Sequence, residues 1–478
     1  MIKIQEKQRT LWDHALFTNI TIKDGLLQEI SDFLDNNPQI LHLVWKDLTR
    51  SASDKKIQLK ENFAGRKGIT AEQVLRFFIY KVIHNFSYRV GVRMLNRDLE
   101  GRRFTRFYSD KIPSYTTFNV WIGKLQAEMK VFENMPKKQG RPKRKSLRVD
   151  CTGVESNIIH PRDSQLLSKG IEVLVRWGKR LKEEENWLPF HIPNSTFSSK
   201  RLSRIIAAIH GRNSKKRRKK VYKKLISKVE KILNVCKEII CFCTSEEVKD
   251  KIGIKGGSCL QYLSHYEHLV QKVLNQTKLR VIEEKPVKVS DKVLSLFEEH
   301  TDVIITGKKN DPLFGHKVLL VENEYGLLTD FEVLKGNAND ATLVSRIIEG
   351  YKKIQNESPD LIALDRGFYS KENKKILEEW GVKQVCLPKR GYKTKEEKAW
   401  ENQLWFKNTR KMRSGIEGRI SCLKRDFVLK RCPLKGFDHF KLHVAFSILC
   451  HNLVKIGIIG LERKQKKLRR KYGGKKAA

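Results

Sequence analysis

Three acids, Asp150, Asp365 and Glu417, have the residue types and settings that metal-assisted phosphoryl chemistry requires. Cutting a phosphodiester with a water or hydroxyl nucleophile needs charge stabilisation at both the attacking and the leaving oxygen. Two divalent ions about 4 Å apart supply it, and hard ions take carboxylate ligands. Asp150 sits in the alternating segment 147–152, on the face opposite Leu147 and Val149. Asp365 closes the continuous apolar run Leu361-Ile362-Ala363-Leu364, at the carboxyl end where ligand sites of open sheets gather. Taken singly, Asp150 is equally compatible with a charge at a sheet edge, and Asp365 with a loop or cap residue. Glu155 and Asp163 are rival acids close to Asp150 in sequence.

Glu417 comes with neighbours. Arg413, Glu417 and Lys424 fall within about 40° on one stripe of a helix with 100° per residue. Met412, Ile416, Ile420, Leu423 and Phe427 form the adjacent apolar stripe, so one helix can anchor on a core and present all three charged groups together. Gly415 and Gly418 each cost a helix about 1 kcal/mol, which suits a place where something must approach closely. The competing description is an exposed Arg–Glu surface pair, worth under about 0.5 kcal/mol.

The elements that must hold these residues follow from the patterns around them. Residues 1–135 read as a helical DNA-binding or dimerisation domain. Thr70-Ala71-Glu72-Gln73 is a capping box, and Val74, Leu75, Phe78, Ile79 and Val82 repeat at helical spacing. Ser87 and Pro113-Ser114 open two more helices, and three short helices suit either a helix-turn-helix-like reader or a plain bundle. Residues 136–146 form a basic linker whose Gly140-Arg141-Pro142 core, with Lys143 and Arg144, resembles an AT-hook for an A·T-rich minor groove. The default reading is a solvated linker that touches phosphates. Strand patterns over 147–152, 303–306, 316–321, 327–334, 361–364 and 382–387 place a mixed-sheet catalytic region at 147–460. A largely helical insertion interrupts it at about 165–285, and 461–478 is a basic tail. Within the insertion, Arg212–Lys224 is packed with cations and reads as a disordered loop, a tract for DNA backbone or a solvated face.

Composition narrows the partner. The 478 residues include 97 Lys plus Arg against 54 Asp plus Glu, a net charge of +43. Self-repulsion on that scale points to a polyanion, nucleic acid first, with a solubility-biased surface or an anionic membrane as the alternatives. The most apolar stretch, 442–460, carries His443, His451, Asn452 and Lys455 and reads as a buried amphipathic helix rather than a span. With no signal-peptide pattern at the N-terminus, a cytoplasmic, nucleoid-associated location is expected. The nine cysteines contain no CxxC pair; the cluster Cys236, Cys241 and Cys243 lacks a partner at zinc-finger spacing and reads as reduced thiols.

The spacing Arg413-x3-Glu417-x6-Lys424 resembles the R(3)E(6)K signature of insertion-sequence DDE transposases, of ISNCY type or a related bacterial group. The segment 147–158, extended by His160-Pro161-Arg162-Asp163-Ser164, is similar to the family's first-Asp motif, and 362–370 to its second. Gly315-His316-Lys317 and Gly336-Asn337-Ala338-Asn339-Asp340 are further local similarities. Where the fuller signature has a tyrosine three positions before the arginine, this chain has Arg410.

The resemblance implies an α/β fold, a ribonuclease H-like mixed-sheet core. In it Asp150, Asp365 and Glu417 bind two Mg²⁺ (or Mn²⁺) ions, and Arg413 and Lys424 meet phosphates; Arg410, where the chain departs from the signature, is a further cation that can reach a phosphate. It implies cleavage of double-stranded DNA at terminal inverted repeats, joining of the 3′-hydroxyl ends to target DNA, and a homodimer or higher oligomer on DNA. A structure-selective nuclease or resolvase on the same core is the alternative. So is a transposase-derived DNA-binding protein that no longer cuts, while an RNA-binding scaffold lacks an RRM-like aromatic motif.

Overall fold

The computed structural model describes residues 22–42, 44–46, 69–122, 145–306 and 311–472. The linker cations Arg141, Lys143 and Arg144 lie outside the described residues, as do Cys-free stretches at both ends of the chain. The chain divides into two compact units, Met1–Glu155 with His316–Ala478, and Ser156–Gly315.

The N-terminal helices are α1 (Gly25–Asp35), α2 (Ala71–Ile83), α3 (Tyr88–Leu95), α4 (Leu99–Phe104) and α5 (Tyr115–Ile122). Thr70 and Gln73 close a reciprocal capping box at the start of α2, and the Ser87 hydroxyl accepts from Val90 N–H at the start of α3. Helix α2 is buried almost throughout, Arg76 included. The Arg76 guanidinium is satisfied by Glu72 at 2.8 Å and Asp35 at 2.6 Å, so it serves the interior of the helical layer. Strand β1 (Ser146–Glu155) follows.

The second unit is mostly helical: α6 (Asp163–Glu184), α7 (Thr196–Ala208), α8 (Ser214–Cys243), α9 (Glu246–Lys249) and α10 (Ile254–Thr277). Its core joins Leu167, Ile171, Leu174, Leu225, Val229, Ile232, Leu263, Val270 and Val273. The basic run is not a loop from Ser214 onward. Tyr222, Leu225, Ile226, Val229, Ile232 and Leu233 recur at helical spacing and are buried, which fixes the cations preceding them on the first turns of α8. Strand β2 (Asp302–Thr306) pairs antiparallel with Asp311–Gly315, the first half of β3 (Asp311–Glu322).

The rest of β3 belongs to the first unit, with β4 (Leu328–Val333), α11 (Val344–Gln355), β5 (Leu361–Ala363), α12 (Lys371–Glu379), β6 (Gln384–Cys386), α13 (Lys395–Asn402), α14 (Leu404–Asp426) and α15 (Phe437–Tyr472). β4 pairs antiparallel with β3, β3 neighbours β1, and β1, β5 and β6 run parallel. The order β4-β3-β1-β5-β6, an antiparallel meander continued by parallel crossovers, is that of a ribonuclease H-like α/β core. Alternation sorts the two faces. Leu147, Val149, Leu319 and Val321 join Ile347, Ile348, Ile362 and Leu364 under α11 and α12. Val318, Leu320 and Leu328 face α15 and the N-terminal helices instead. The Ser370 hydroxyl accepts from Asn373 N–H to start α12, and Gly381, at φ 78°, takes the left-handed conformation that closes it. Helix α15 is long and apolar enough to span a membrane by length and composition, yet Leu442, Val444, Ile448, Leu449 and Leu453 are packed in this core.

Candidate active site

Register brings the first two acids together. β1 and β5 pair Arg148 with Ala363. Two residues further along each strand direction come Asp150, inside β1, and Asp365, just past β5, on neighbouring parallel strands whose spacing is about 4.8 Å. Because Arg148 lies opposite Ala363 and side chains alternate along each strand, Arg148, Asp150, Ala363 and Asp365 share the face opposite Leu147, Val149, Ile362 and Leu364. That face is covered by α14, whose Phe406 packs on Ala363 and Cys386.

Helix α14 completes the group. The Arg413 guanidinium donates to Glu417 Oε1 at 2.6 Å and to Asp150 Oδ2 at 3.3 Å, and lies 4.0 Å from Asp365 Oδ1. One cation thus stands among all three acids, of which Asp150 lies more than two hundred residues from the other two in the chain. Arg413 is mostly covered, whereas Glu417 is exposed and Asp365 half-buried.

The electrostatics are those of crowded carboxylates. Burial is the main force pushing Asp150 up to about 6; the Cys151 N–H at 2.8 Å and the Arg413 charge pull it down, and Asp365 and Glu417 push it further up. Arg413 is raised: burial alone would lower it, but the bond to Glu417 and the charges of Asp150 and Asp365 outweigh that. Among the described residues, no three His, Cys, Asp or Glu side chains stand close enough to share one metal ion as placed. The donor set nevertheless suits a hard cation, since three carboxylates already gather about a guanidinium and one of them holds its proton unusually tightly.

The other expected residues are placed less uniformly. Lys424, half-buried two turns beyond Glu417, is lowered by burial, with the charge of Glu155 raising it and that of Lys430 lowering it further. Glu155 thus acts electrostatically on Lys424. Asp163 is committed within the helical unit, to Arg280 at 2.9 Å and Gln276 at 2.9 Å. Arg410 is exposed on α14.

Two supporting clusters were not foreseen. Arg148, on the Asp150 face of β1, reaches under α14. Its guanidinium donates to Met412 O at 3.4 Å and pairs with Glu322 at 3.3 Å. Glu322 is fully buried at the end of β3 and also accepts from Arg419 at 3.1 Å. A Cβ on Gly415 would lie 2.7 Å from Arg148 Nη1, whereas one on Gly418 would meet nothing within 4 Å. Close approach therefore explains the first glycine and leaves the second unexplained. The other cluster holds the turn after Asp365. Lys317 Nζ lies 2.7 Å from Asp340, whose carboxylate packs against Gly367 and receives the Cys151 thiol. Asn373 Nδ2 donates to Ala341 O and Phe368 O at 2.7 and 2.8 Å. The Gly315–Lys317 and Gly336–Asp340 motifs were the signal for this cluster, but only the fold supplies its meaning.

Family models match two regions. The Transposase DDE domain covers residues 299–453, and the Transposase domain (DUF772) covers residues 15–124. The chain is a DDE-type DNA transposase. No curated protein and no solved structure matches it. The DDE match takes in Asp365, Arg413, Glu417 and Lys424 of the transposase but begins well after Asp150. The first acid therefore rests on strand register and on its bond to Arg413. Transposases with this domain work with divalent metal ions and act on DNA, which agrees with three gathered carboxylates in a chain of charge +43.

Proposed function

We propose that Asp150, Asp365 and Glu417 are the metal-binding acids of this transposase, which cuts at terminal inverted repeats and joins the freed 3′-hydroxyl ends to target DNA. The observation that carries the reading is the single Arg413 guanidinium within 2.6–4.0 Å of all three carboxylates. Two bound Mg²⁺ or Mn²⁺ ions would supply Lewis-acid stabilisation of the attacking and leaving oxygens. Asp150 then serves from within β1, Asp365 from just past the end of β5, and Glu417 from the exposed stripe of α14. Arg413 offsets part of the charge of the three acids; with DNA bound it turns to a phosphate oxygen, a bidentate role that suits a guanidinium. Lys424 and Arg410 extend the cationic stripe toward the same strand, and Arg141, Lys143 and Arg144 contact the backbone or minor groove. Hydrolysis and joining are both in-line displacements at phosphorus, so one centre serves both. The R(3)E(6)K group, a dimeric or larger complex on paired ends, and work at the nucleoid belong to the same reading.

Asp150→Asn, Asp365→Asn and Glu417→Gln are each expected to reduce Mg²⁺-dependent cleavage of end-containing DNA by at least about a thousandfold, the scale of losing a principal catalytic group. DNA binding should survive. Cleavage retained in any one removes that residue from the centre. Strand transfer with pre-cut ends separates a transposase from a nuclease that cuts without joining.

A further inference from the structure

The helical unit Ser156–Gly315 carries a second feature that suits a polyanion, away from the three acids in the chain. Along α8, Lys216, Arg217, Lys220, Lys223, Lys224 and Lys231 fall on an arc of about 120° at 100° per residue. The buried residues Tyr222, Leu225, Ile226, Val229, Ile232 and Leu233 occupy the opposite arc. All six cations are exposed. Between Ser214 and Lys231 the sole acid is Glu230, and it is paired with Lys278 at 2.7 Å.

Four of the helix's other cations differ. Lys215 and Lys219 share Glu284, Arg218 donates to Ile209 O at 3.1 Å, and Lys237 donates to Gln271. Among the described residues, none of the six side chains on the arc has an ion-pair or hydrogen-bonding partner, nor has half-buried Lys228 beside it. The unneutralised cations thus gather on and beside one face. Like charges three and four residues apart, such as Lys216–Lys220 and Lys220–Lys224, each destabilise a helix by a few tenths of a kcal/mol. The apolar face holds the helix despite that repulsion.

We infer that this face of α8 is a docking surface for the phosphate backbone of duplex DNA, separate in the chain from the catalytic acids. The dimensions agree. Lys216 to Lys231 spans about 22 Å at 1.5 Å per residue, which matches about six phosphates of one strand at 3.4 Å each. Five exposed lysines on flexible stems and one arginine, with no aromatic or amide side chain among them, suit backbone contact more than base-edge readout. The surface therefore supplies sequence-independent grip, leaving recognition of ends to other parts of the chain.

The test uses the full-length chain and a short duplex of arbitrary sequence, with affinity followed by fluorescence anisotropy across a salt series. Replacing Lys216, Lys220, Lys223 and Lys224 together by Gln should reduce the slope of log K against log salt by about 3 to 4, at about 0.9 per lost phosphate contact. Arginine at the same four positions should keep the slope. An equal charge removal at Lys249, Lys251, Lys255 and Lys272 of the same unit should leave it nearly unchanged. An unchanged slope in the Gln variant overturns the inference, as does an equal drop in the control, which would make the effect one of overall charge. Tighter binding to phosphatidylserine vesicles than to duplex, lost in the Gln variant, would also overturn it in favour of a membrane surface. Thermal melting checks that the Gln variant is folded, which relief of repulsion favours. The readout is binding alone, so it stands or falls independently of the carboxylate substitutions.

Discussion

At the residue scale, the candidate centre is a balance between three carboxylates and one guanidinium. Burial holds the Asp150 proton to about pH 6 against an ordinary value of 3.8. The sign follows: folded protein binds this proton more tightly than unfolded chain. Stability from the site is therefore fully present below the ordinary value and lost as pH rises through about 6. A metal ion must displace the same proton. Apparent Mn²⁺ affinity is expected to be level above about pH 6 and to fall about tenfold per unit below it, one proton being displaced per ion. In Asp150→Asn the remaining weak binding should lose that step. A calorimetric series from acid to neutral pH reads both, and an affinity independent of pH would contradict the environment assigned to Asp150. As candidates, Glu417 and Asp365 were legible from helical spacing and from the buried apolar run, while Asp150 leaned most on the family resemblance. Arg148 and Glu322 were not legible, because a covered charge is recognised by its partners, and those lie far away in the chain; Asp340 stood in a recognised motif whose meaning only the fold supplies.

At the element scale, α14 has to sit at one height and rotation over β1 and β5 for Glu417 to face the two aspartates. Arg148 sets that seat, bonded to Met412 O and Glu322 beneath Gly415. Gly415→Ala separates seat from stability. Alanine favours the helix by about 1 kcal/mol, yet its Cβ would press on the Arg148 guanidinium and force it or the helix to shift. Melting temperature is expected to hold or rise, while cleavage falls by ten- to about a hundredfold, the scale of a 1 Å misplacement. Full cleavage would show that the seat does not govern the centre. The two glycines of α14 looked alike in sequence, and only the tertiary neighbour distinguishes them. The basic run on α8 shows the converse limit: nine cations in thirteen positions hid the apolar spacing that begins at Val221 and Tyr222 and makes the segment helical.

At the scale of the whole molecule, strand order was readable because each strand has its own pattern, from the alternation of 147–152 to the continuous apolar run of 361–364. The crossovers between them carry amphipathic helices. The helical unit between β1 and the β2–β3 hairpin was visible as a long helical interval, but its charged face acquired a direction only once the buried arc of α8 was known. What the fold does for the chemistry is to return three distant segments to one place: β1, the turn after β5, and α14. The most direct test is Mn²⁺ binding, measured by electron paramagnetic resonance on the full-length transposase with a duplex present. Wild-type protein is compared with Asp150→Asn, Asp365→Asn and Glu417→Gln. Each substitution is expected to weaken or abolish ion binding while the others' positions remain intact; Mn²⁺ binding that is unchanged in all three would contradict a shared metal centre.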